Sequence, residues 1–394
     1  TYPQYPRRYY YYYLIYFIFI EKGDSRKMIF SCEKATLLNA INIAAKALPS
    51  KTVNPICEGI LFDAKGNHVT LTTTDSSLTV QTRFAAEVSE DGEVVINGKF
   101  VSEIIRKMPE GEIVISGDFT KGIEVRAKYS KMNIAAMDPS EYPALPVIDK
   151  DRFFTLPQGE LKKMITQTLF ATAADEARPI LTGCLFEVEE SNINVVALDG
   201  YRLALRNSFV EDIEEPIKAI IPARALSEIT KIISDSDDLV RLYIQKSYCM
   251  VEIEETKVMT RLIEGEYIKY RPIIPTGLKN NITVDRLDLL EAIDRAWLIV
   301  RENTRNNYVV FRFTEDNKLI ITSRSDTGNA YEEVPFSGKV DSMEIGFNPR
   351  YFVESLKNIE DEFINFSFST PSSPTVITPV DGNKYLYLIL PVRL

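Results

Sequence analysis

Val195-Val196-Ala197-Leu198-Asp199-Gly200-Tyr201-Arg202-Leu203 runs from an apolar, β-branched stretch into an Asp-Gly turn and out again. Two other stretches have the same outline, Leu71-Thr72-Thr73-Thr74-Asp75-Ser76-Ser77-Leu78 and Ile320-Ile321-Thr322-Ser323-Arg324-Ser325-Asp326-Thr327. Their aspartates lie 124 and 127 residues apart. Other anchors keep that period. Leu37, Leu161 and Leu289 each open an amphipathic stretch, and Val101-Ser102-Glu103, Leu226-Ser227-Glu228 and Phe352-Val353-Glu354 recur in step. The period is too long for a solenoid unit and matches a whole domain. Three copied domains are therefore expected, with boundaries at 28–148, 149–276 and 277–394.

Each copy reads in one order. A helix comes first: Leu37, Ile41, Ala44 and Leu48 fall on one face, as do Leu161, Ile165 and Leu169 in the second copy and Leu290, Ile293 and Trp297 in the third. Paired strand signals follow, such as Gly59–Asp63 and Val69–Thr72 around Lys65-Gly66-Asn67. A second helix is expected over Phe100–Met108, Ala225–Ser234 and Tyr351–Ile359, and more alternating strands close each copy. Two helices and about eight strands per copy make an α+β domain with helices packed on antiparallel sheets.

The chain has 394 residues, 45% hydrophobic and 26% charged, which is ordinary for a globular protein. Cys32, Cys57, Cys184 and Cys249 form no CxxC pair, so neither a zinc site nor a disulfide framework is indicated, and a cytoplasmic protein with reduced thiols is expected. The single histidine, His68, sits in a Gly-Asn-His turn and reads as a solvated residue; a His-rich metal site is excluded. No cofactor is implied. A Walker A loop fails because Gly92 and Gly98 are separated by five residues and Phe100 follows Lys99. No G-x-S-x-G elbow or HExxH occurs, and the repeated aspartates read as turn carboxylates.

Residues 1–27 differ from the rest. Tyr9–Ile20 is a run of 12 aromatic and aliphatic residues, shorter than the ~20 that a membrane span needs. The segment reads as a non-native or misassigned extension with Met28 as the start; a membrane anchor is the rival reading.

Net charge is −10, which by itself argues against nucleic acid. The distribution argues otherwise. The helices carry Lys34, Lys46, Lys99, Arg106 and Lys107 in the first copy, Lys162, Lys163, Arg224 and Lys231 in the second, and Arg286, Arg295, Arg301, Arg350 and Lys357 in the third, with Lys51 and Arg305 close by. Acids crowd strands and connections, as in Glu211-Asp212-Ile213-Glu214-Glu215. Basic helix faces inside an acidic shell suit sequence-independent contact with phosphates.

With these motifs in order, the chain from Met28 to Leu394 resembles the bacterial sliding clamps, the β subunits of DNA polymerase III. Leu198-Asp199-Gly200-Tyr201-Arg202-Leu203 is similar to the family's Thr-Asp-Gly-His-Arg-Leu, and Leu390-Pro391-Val392-Arg393-Leu394 to its Met-Pro-Met-Arg-Leu end. Met343–Asn348 is similar to its third-domain strand. The resemblance implies a non-catalytic processivity factor: a head-to-tail homodimer of six domains closed into a ring around duplex DNA. Twelve helices about 10 Å apart give a ring ~38 Å across at their axes. Subtracting a helix radius of about 5 Å on each side leaves ~28 Å, wider than a B-form duplex.

The resemblance also implies a pocket for short peptides with a Gln and spaced Leu or aromatic residues, from the polymerase III catalytic subunit, the clamp loader and repair polymerases. By position it would be built from Leu181, the turn Gly200, Tyr201, Arg202 and Leu203, and the segment Ile268, Pro272 and Ile273. The third copy would add Asn348, Tyr351, Pro374, Leu388 and Leu390, then the tail Pro391, Val392, Arg393 and Leu394. Tyr201 replaces the family's His, Leu198 its Thr, and Pro272 an Arg, so the rim is altered. DNA contacts would fall on Lys51, Arg178, Arg224 and Arg305. The dimer would pack Met132 near Leu298 and Ile299, with Lys128 and Lys131 facing Glu332 and Glu333. Two other readings stay open at this point: a peptide-binding scaffold that never meets DNA, and a hydrolase using Asp199, Tyr201, Arg202 and Tyr351.

Overall fold

The computed structural model describes residues 27–49, 51–150, 152–175, 177–211, 215–301 and 307–394. It divides into two compact units, one holding the described residues up to Val147 with Glu254–Val258, the other Ile148–Ile253 with Met259–Leu394.

In the first unit, helices α1 (Lys34–Ala44) and α2 (Gly98–Lys107) pack against antiparallel strands. One five-stranded sheet has the order Glu87–Glu90, Met28–Glu33, Glu112–Asp118, Gly122–Ala127, Ser130–Ile134. A second array runs Leu78–Ala85, His68–Thr74, Gly59–Lys65, Gly92–Asn97. Lys65 pairs with His68, leaving Gly66-Asn67 as a two-residue turn. Gly66 has φ +64°, which a glycine adopts without steric cost, and its N–H donates to Asp91 Oδ1 at 3.0 Å. Leu37, Ile41, Val101 and Ile105 from the helices meet Phe30, Phe62, Leu71 and Ile115 from the strands in one buried core.

The second unit holds the second and third copies. Helices α3 (Gln158–Leu169), α4 (Ala223–Thr230), α5 (Arg286–Val300) and α6 (Pro349–Lys357) accompany a continuous twelve-stranded antiparallel sheet. The copies join where Arg202–Phe209 pairs with Tyr385–Ile389, placing Arg202 opposite Ile389 and Leu203 opposite Leu388. The threefold repeat is topological as well as sequential. In every copy a three-strand meander has its first strand paired on the other side with the strand leading into the second helix: Gly92–Asn97, Ile217–Pro222 and Met343–Phe347. In the third copy Phe311, Phe313, Phe347, Phe352, Phe366 and Phe368 form one buried aromatic cluster.

The second helices are shorter at their C-terminal ends than the apolar pattern suggests, and each starts earlier. Asn97 caps α2 by accepting from Phe100 N–H at 3.0 Å, and Asn348 caps α6 by accepting from Arg350 N–H at 3.1 Å with Pro349 in the first turn. The apolar face of α5 is Leu289, Ala292, Ile293, Ala296 and Val300 rather than Leu290 and Trp297, which lie half-buried at its margins. The small Ala296 allows close approach: its carbonyl accepts from the buried Ser323 Oγ at 2.7 Å.

Candidate functional site

The Asp199-Gly200-Tyr201-Arg202 turn is built by its own carboxylate. Asp199 Oδ1 accepts from the N–H groups of Tyr201 at 2.9 Å and Arg202 at 3.1 Å. Asp75 does the same for Ser77 and Leu78 in the first copy, so both aspartates are turn carboxylates. Gly200 takes φ +96°, the conformation its lack of Cβ permits. With the turn closed, Arg202 points inward and is only 6% exposed. Its Nε donates to Asp199 Oδ2 at 3.0 Å, one terminal nitrogen to Glu354, and the other to Phe170 O at 2.6 Å. The guanidinium lies 4.8 Å from the Tyr351 ring centre and 5.5 Å from that of Phe170. Burial alone would raise the Glu354 carboxyl, but hydrogen bonds from Arg350 and Arg202 outweigh it and hold the group below the usual carboxylate range. Burial, then the nearby Asp199 charge, raises the Tyr351 hydroxyl. These groups are consumed by one another, which is a fixed scaffold rather than an acid–base pair poised for hydrolysis.

Outside this knot, Tyr201 is 61% exposed and stacks on half-buried Tyr351, with ring centres 6.2 Å apart and planes 20° from parallel. Next to Arg202 in the chain, Leu203 is buried in one apolar cluster with Leu181, Leu388, Tyr267 and Tyr270, and Ile268 and Leu390 pack against it half-buried. Pro272 and Ile273 stand exposed on a short 3₁₀ turn, Arg271–Ile273. Pro374 is half-buried at the entry to the strand Thr375–Pro379. Asn348 enters mainly as the cap of α6. Sequence reasoning missed Glu187. Its side chain is 3% exposed and accepts from Tyr270 Oη at 2.8 Å, Arg271 at 2.6 Å and Lys218 at 2.9 Å. An acidic residue flanked by Phe186 and Val188 inside the buried strand Gly183–Glu189 was the available signal. A cleft of about 940 Å³ behind the same segment is lined by Leu185, Ile220, Ile263, Ile268 and Pro272 among others; Tyr201 and Tyr351 are not part of it.

The C-terminal tail is more firmly held than a strand that simply leaves its sheet. Leu390 N–H donates to Tyr201 O at 2.9 Å, and Val392 N–H to Gly346 O at 2.8 Å, forming a β-bridge past Pro391. A Cβ on Gly346 would come within 2.6 Å of Leu394 Cδ2 and 2.9 Å of Val392 Cγ2, so the glycine is what admits the tail. Arg393 is exposed and Leu394 is 63% exposed.

The basic helix faces are less free than their sequence suggests. Lys34 is buried and bound to Glu110 at 2.6 Å, because its helix start packs on Gly111. Lys162 pairs with Asp235, Lys163 with Glu360, Lys231 with Glu228, Arg295 with Glu332 and Arg350 with Glu354. Lys51, Arg178 and Arg224 are exposed, and Arg305 lies outside the described residues. Of the expected dimer residues, Met132 is 41% and Leu298 66% exposed, and Ile299 is half-buried. Lys128 is exposed, while Lys131 is paired within its own chain to Glu124 at 2.5 Å, Glu332 to Arg295 and Glu333 to Lys318. Met132 shares a shallow groove with Phe100 and Ile104.

Nothing among the described residues suits metal or thiol chemistry: no cluster of metal-ligating groups occurs, and burial pushes the Cys184 and Cys249 thiols up to about 12. No helix among the described residues is long and apolar enough to cross a membrane.

Family models of the DNA polymerase III β subunit match the whole repeat region: the N-terminal domain over residues 28–146, the central domain over 155–269 and the C-terminal domain over 271–393. The β sliding clamp of Halalkalibacterium halodurans is 32% identical over 379 residues, covering 93% of this chain and all of that protein. That of Staphylococcus epidermidis is 31% identical over 377 residues, covering 93% of this chain and 99% of that protein. The crystal structure of the Bacillus subtilis DNA polymerase sliding clamp superposes with a TM-score of 0.90 at 31% identity, covering 93% of this chain and 99% of that one. The β subunit from Thermotoga maritima gives 0.86 at 26%, covering 93% and 100%. Three copies of one topology, in family order and at full length, place this chain in the family of bacterial β sliding clamps, the non-catalytic processivity subunits of DNA polymerase III.

Proposed function

We propose that two copies of this chain, each with repeats at 28–148, 149–276 and 277–394, close head to tail around duplex DNA in the cytoplasm. Short peptide tails of the polymerase III catalytic subunit, the clamp loader and repair polymerases dock at the Tyr201–Tyr351 site. The observation that carries the peptide reading is the stacked Tyr201–Tyr351 pair, fixed from below by Arg202 and flanked by a tail tied to Tyr201 and Gly346. An apolar floor with a few polar anchors is how a peptide pocket is composed. The floor takes the leucine or aromatic residues of the motif, and exposed backbone and side-chain polar groups at the rim take its glutamine.

The dimer reading is supported by two open edges, one in each unit. Ser130–Ile134 is the last strand of its sheet, with Met132 exposed beside a groove. Among the described residues, the first part of Gly328–Lys339 pairs only with Lys318–Ser325, near exposed Leu298 on α5. Unpaired strand edges flanked by exposed apolar side chains are what strand-to-strand association uses. Contact with DNA falls to Lys51, Arg178, Arg224 and Arg305, which act through uniform phosphate attraction and so permit sliding. The test is retention on nicked circular DNA after enzymatic loading. Retention that is lost when the circle is cut supports an encircling ring; retention on linear DNA, or none on circles, overturns it.

A further inference from the structure

The wall of the pocket contributed by Ile268, Pro272 and Ile273 has little backbone support. Its chain leaves the strand Thr256–Arg261, and the last bond to a neighbouring strand is Ile263 N–H to Ile220 O at 2.9 Å. From there to Ile274 the backbone bonds among the described residues are local: Ile273 N–H to Tyr270 O and Ile274 N–H to Arg271 O. No ladder fixes this stretch among the described residues. What ties it down is side chains. Tyr267 and Tyr270 are 8% and 4% exposed, inserted into the cluster that also holds Leu181 and Leu388. The next polar tie is Glu187, on the ladder-bonded strand Gly183–Glu189. It accepts from Tyr270 Oη at 2.8 Å and from Arg271 at 2.6 and 3.3 Å, and Lys218 completes the cluster at 2.9 Å. Tyr270 and Arg271 immediately precede Pro272 and Ile273, and Pro272 stiffens the turn by its fixed φ.

We propose that Glu187 is a positioning residue of the peptide site: it never meets the peptide, and it holds the Tyr267–Ile273 wall in the shape that peptide tails require. The inference rests on the peptide-docking function proposed above. A buried carboxylate with three donors is a geometric lock: without it the Tyr270 hydroxyl, on a residue 4% exposed, would be left buried and unsatisfied, and the half-exposed Arg271 would be free to turn to solvent. A wall ordered in advance spares the peptide the entropy of ordering it, which appears in affinity rather than in the fold.

The experiment uses the full chain and compares the wild type with Glu187→Gln and Glu189→Gln. Glu189 lies 3.5 Å from Lys218 and 3.6 Å from Arg271 but is half-exposed, so it controls for simple loss of charge. The readouts are titration of a labelled Gln-Leu-x-Leu-Phe peptide, dimer mass by sedimentation, and amide hydrogen exchange resolved by segment. E187Q is expected to weaken the peptide by roughly five- to tenfold, E189Q by less than about twofold, with the dimer intact. Exchange should quicken over Tyr267–Ile273 and stay unchanged in Asn192–Leu198. Wild-type affinity in E187Q with unchanged exchange of the wall overturns the proposal, and so does faster exchange spread uniformly over the second unit. If the wild type itself fails to bind the peptide, the docking function falls while exchange in the wall still decides the role of Glu187. Should E187Q not fold, Tyr270→Phe removes one hydroxyl only and is judged by the same outcomes.

Discussion

Arg202 is the structural centre of the proposed peptide site. A guanidinium 6% exposed is stable only because two carboxylates, one carbonyl and two ring faces surround it. Arg202→Ala strands Asp199 and Glu354 in a poorly solvated site, and the expected destabilisation is about 3–5 kcal/mol in urea unfolding. Peptide affinity should fall with it, because Tyr351 loses the cation beneath its ring. The same network sets a pH dependence. The Glu354 carboxyl titrates below its ordinary value, since its two arginine hydrogen bonds outweigh the opposing effect of burial. Its stabilising contribution is therefore complete above the ordinary glutamate value of about 4.3 and is lost as the pH falls through the lower folded value. Stability measured from neutral pH downward should fall less steeply in Glu354→Gln than in the wild type at the acid end. Parallel curves would show that Glu354 gains nothing from its arginines.

At the scale of elements, the C-terminal tail and the strand Met343–Phe347 depend on each other. That strand ends the twelve-stranded sheet, and Val392 pairs on its outer side through Gly346. Gly346→Ala should displace the tail rather than unfold the protein, because the atoms it meets are the ends of the Leu394 and Val392 side chains. Deleting Val392–Leu394 should leave the dimer intact and weaken a docking peptide by about 1–3 kcal/mol for each apolar anchor lost. Both variants are measured by peptide titration with sedimentation as control. Equal affinities would place the peptide site away from the tail.

On the scale of the whole molecule, the proposed association rests on few apolar groups. Leu298 and Ile299 lie at the end of α5 beside the open edge of Gly328–Lys339. Leu298 is 66% exposed and Ile299 half-buried, so charged residues at both positions are tolerated in a single chain at modest cost but not in an apolar contact, and the double variant should sediment as a folded monomer. A dimer would refute this interface. Glu332 and Glu333 already bind Arg295 and Lys318 in their own chain, so any attraction to Lys128 and Lys131 of a second copy is shared and should respond only modestly to salt.

The sequence alone determined the threefold plan, because a copied domain repeats its hydrophobic periods and its Asp turns at one spacing, and such local patterns need no partner to be read. It also determined the α+β class. The turn role of Asp75 and Asp199 was legible for the same reason, since each carboxylate binds amides two and three residues ahead. Only the tertiary structure decided which side chains meet across long separations. Glu187 reaches Arg271, Arg202 reaches Glu354, and Val392 finds Gly346, each through strand order and register. It also decided how the cations are paired. Lys34 and Lys163 look alike to their neighbours in sequence, but Lys34 is buried on Glu110 and Lys163 is tied to Glu360. Charge pairing depends on distances of a few ångströms between segments far apart in the chain, and helical periodicity carries no information about those distances.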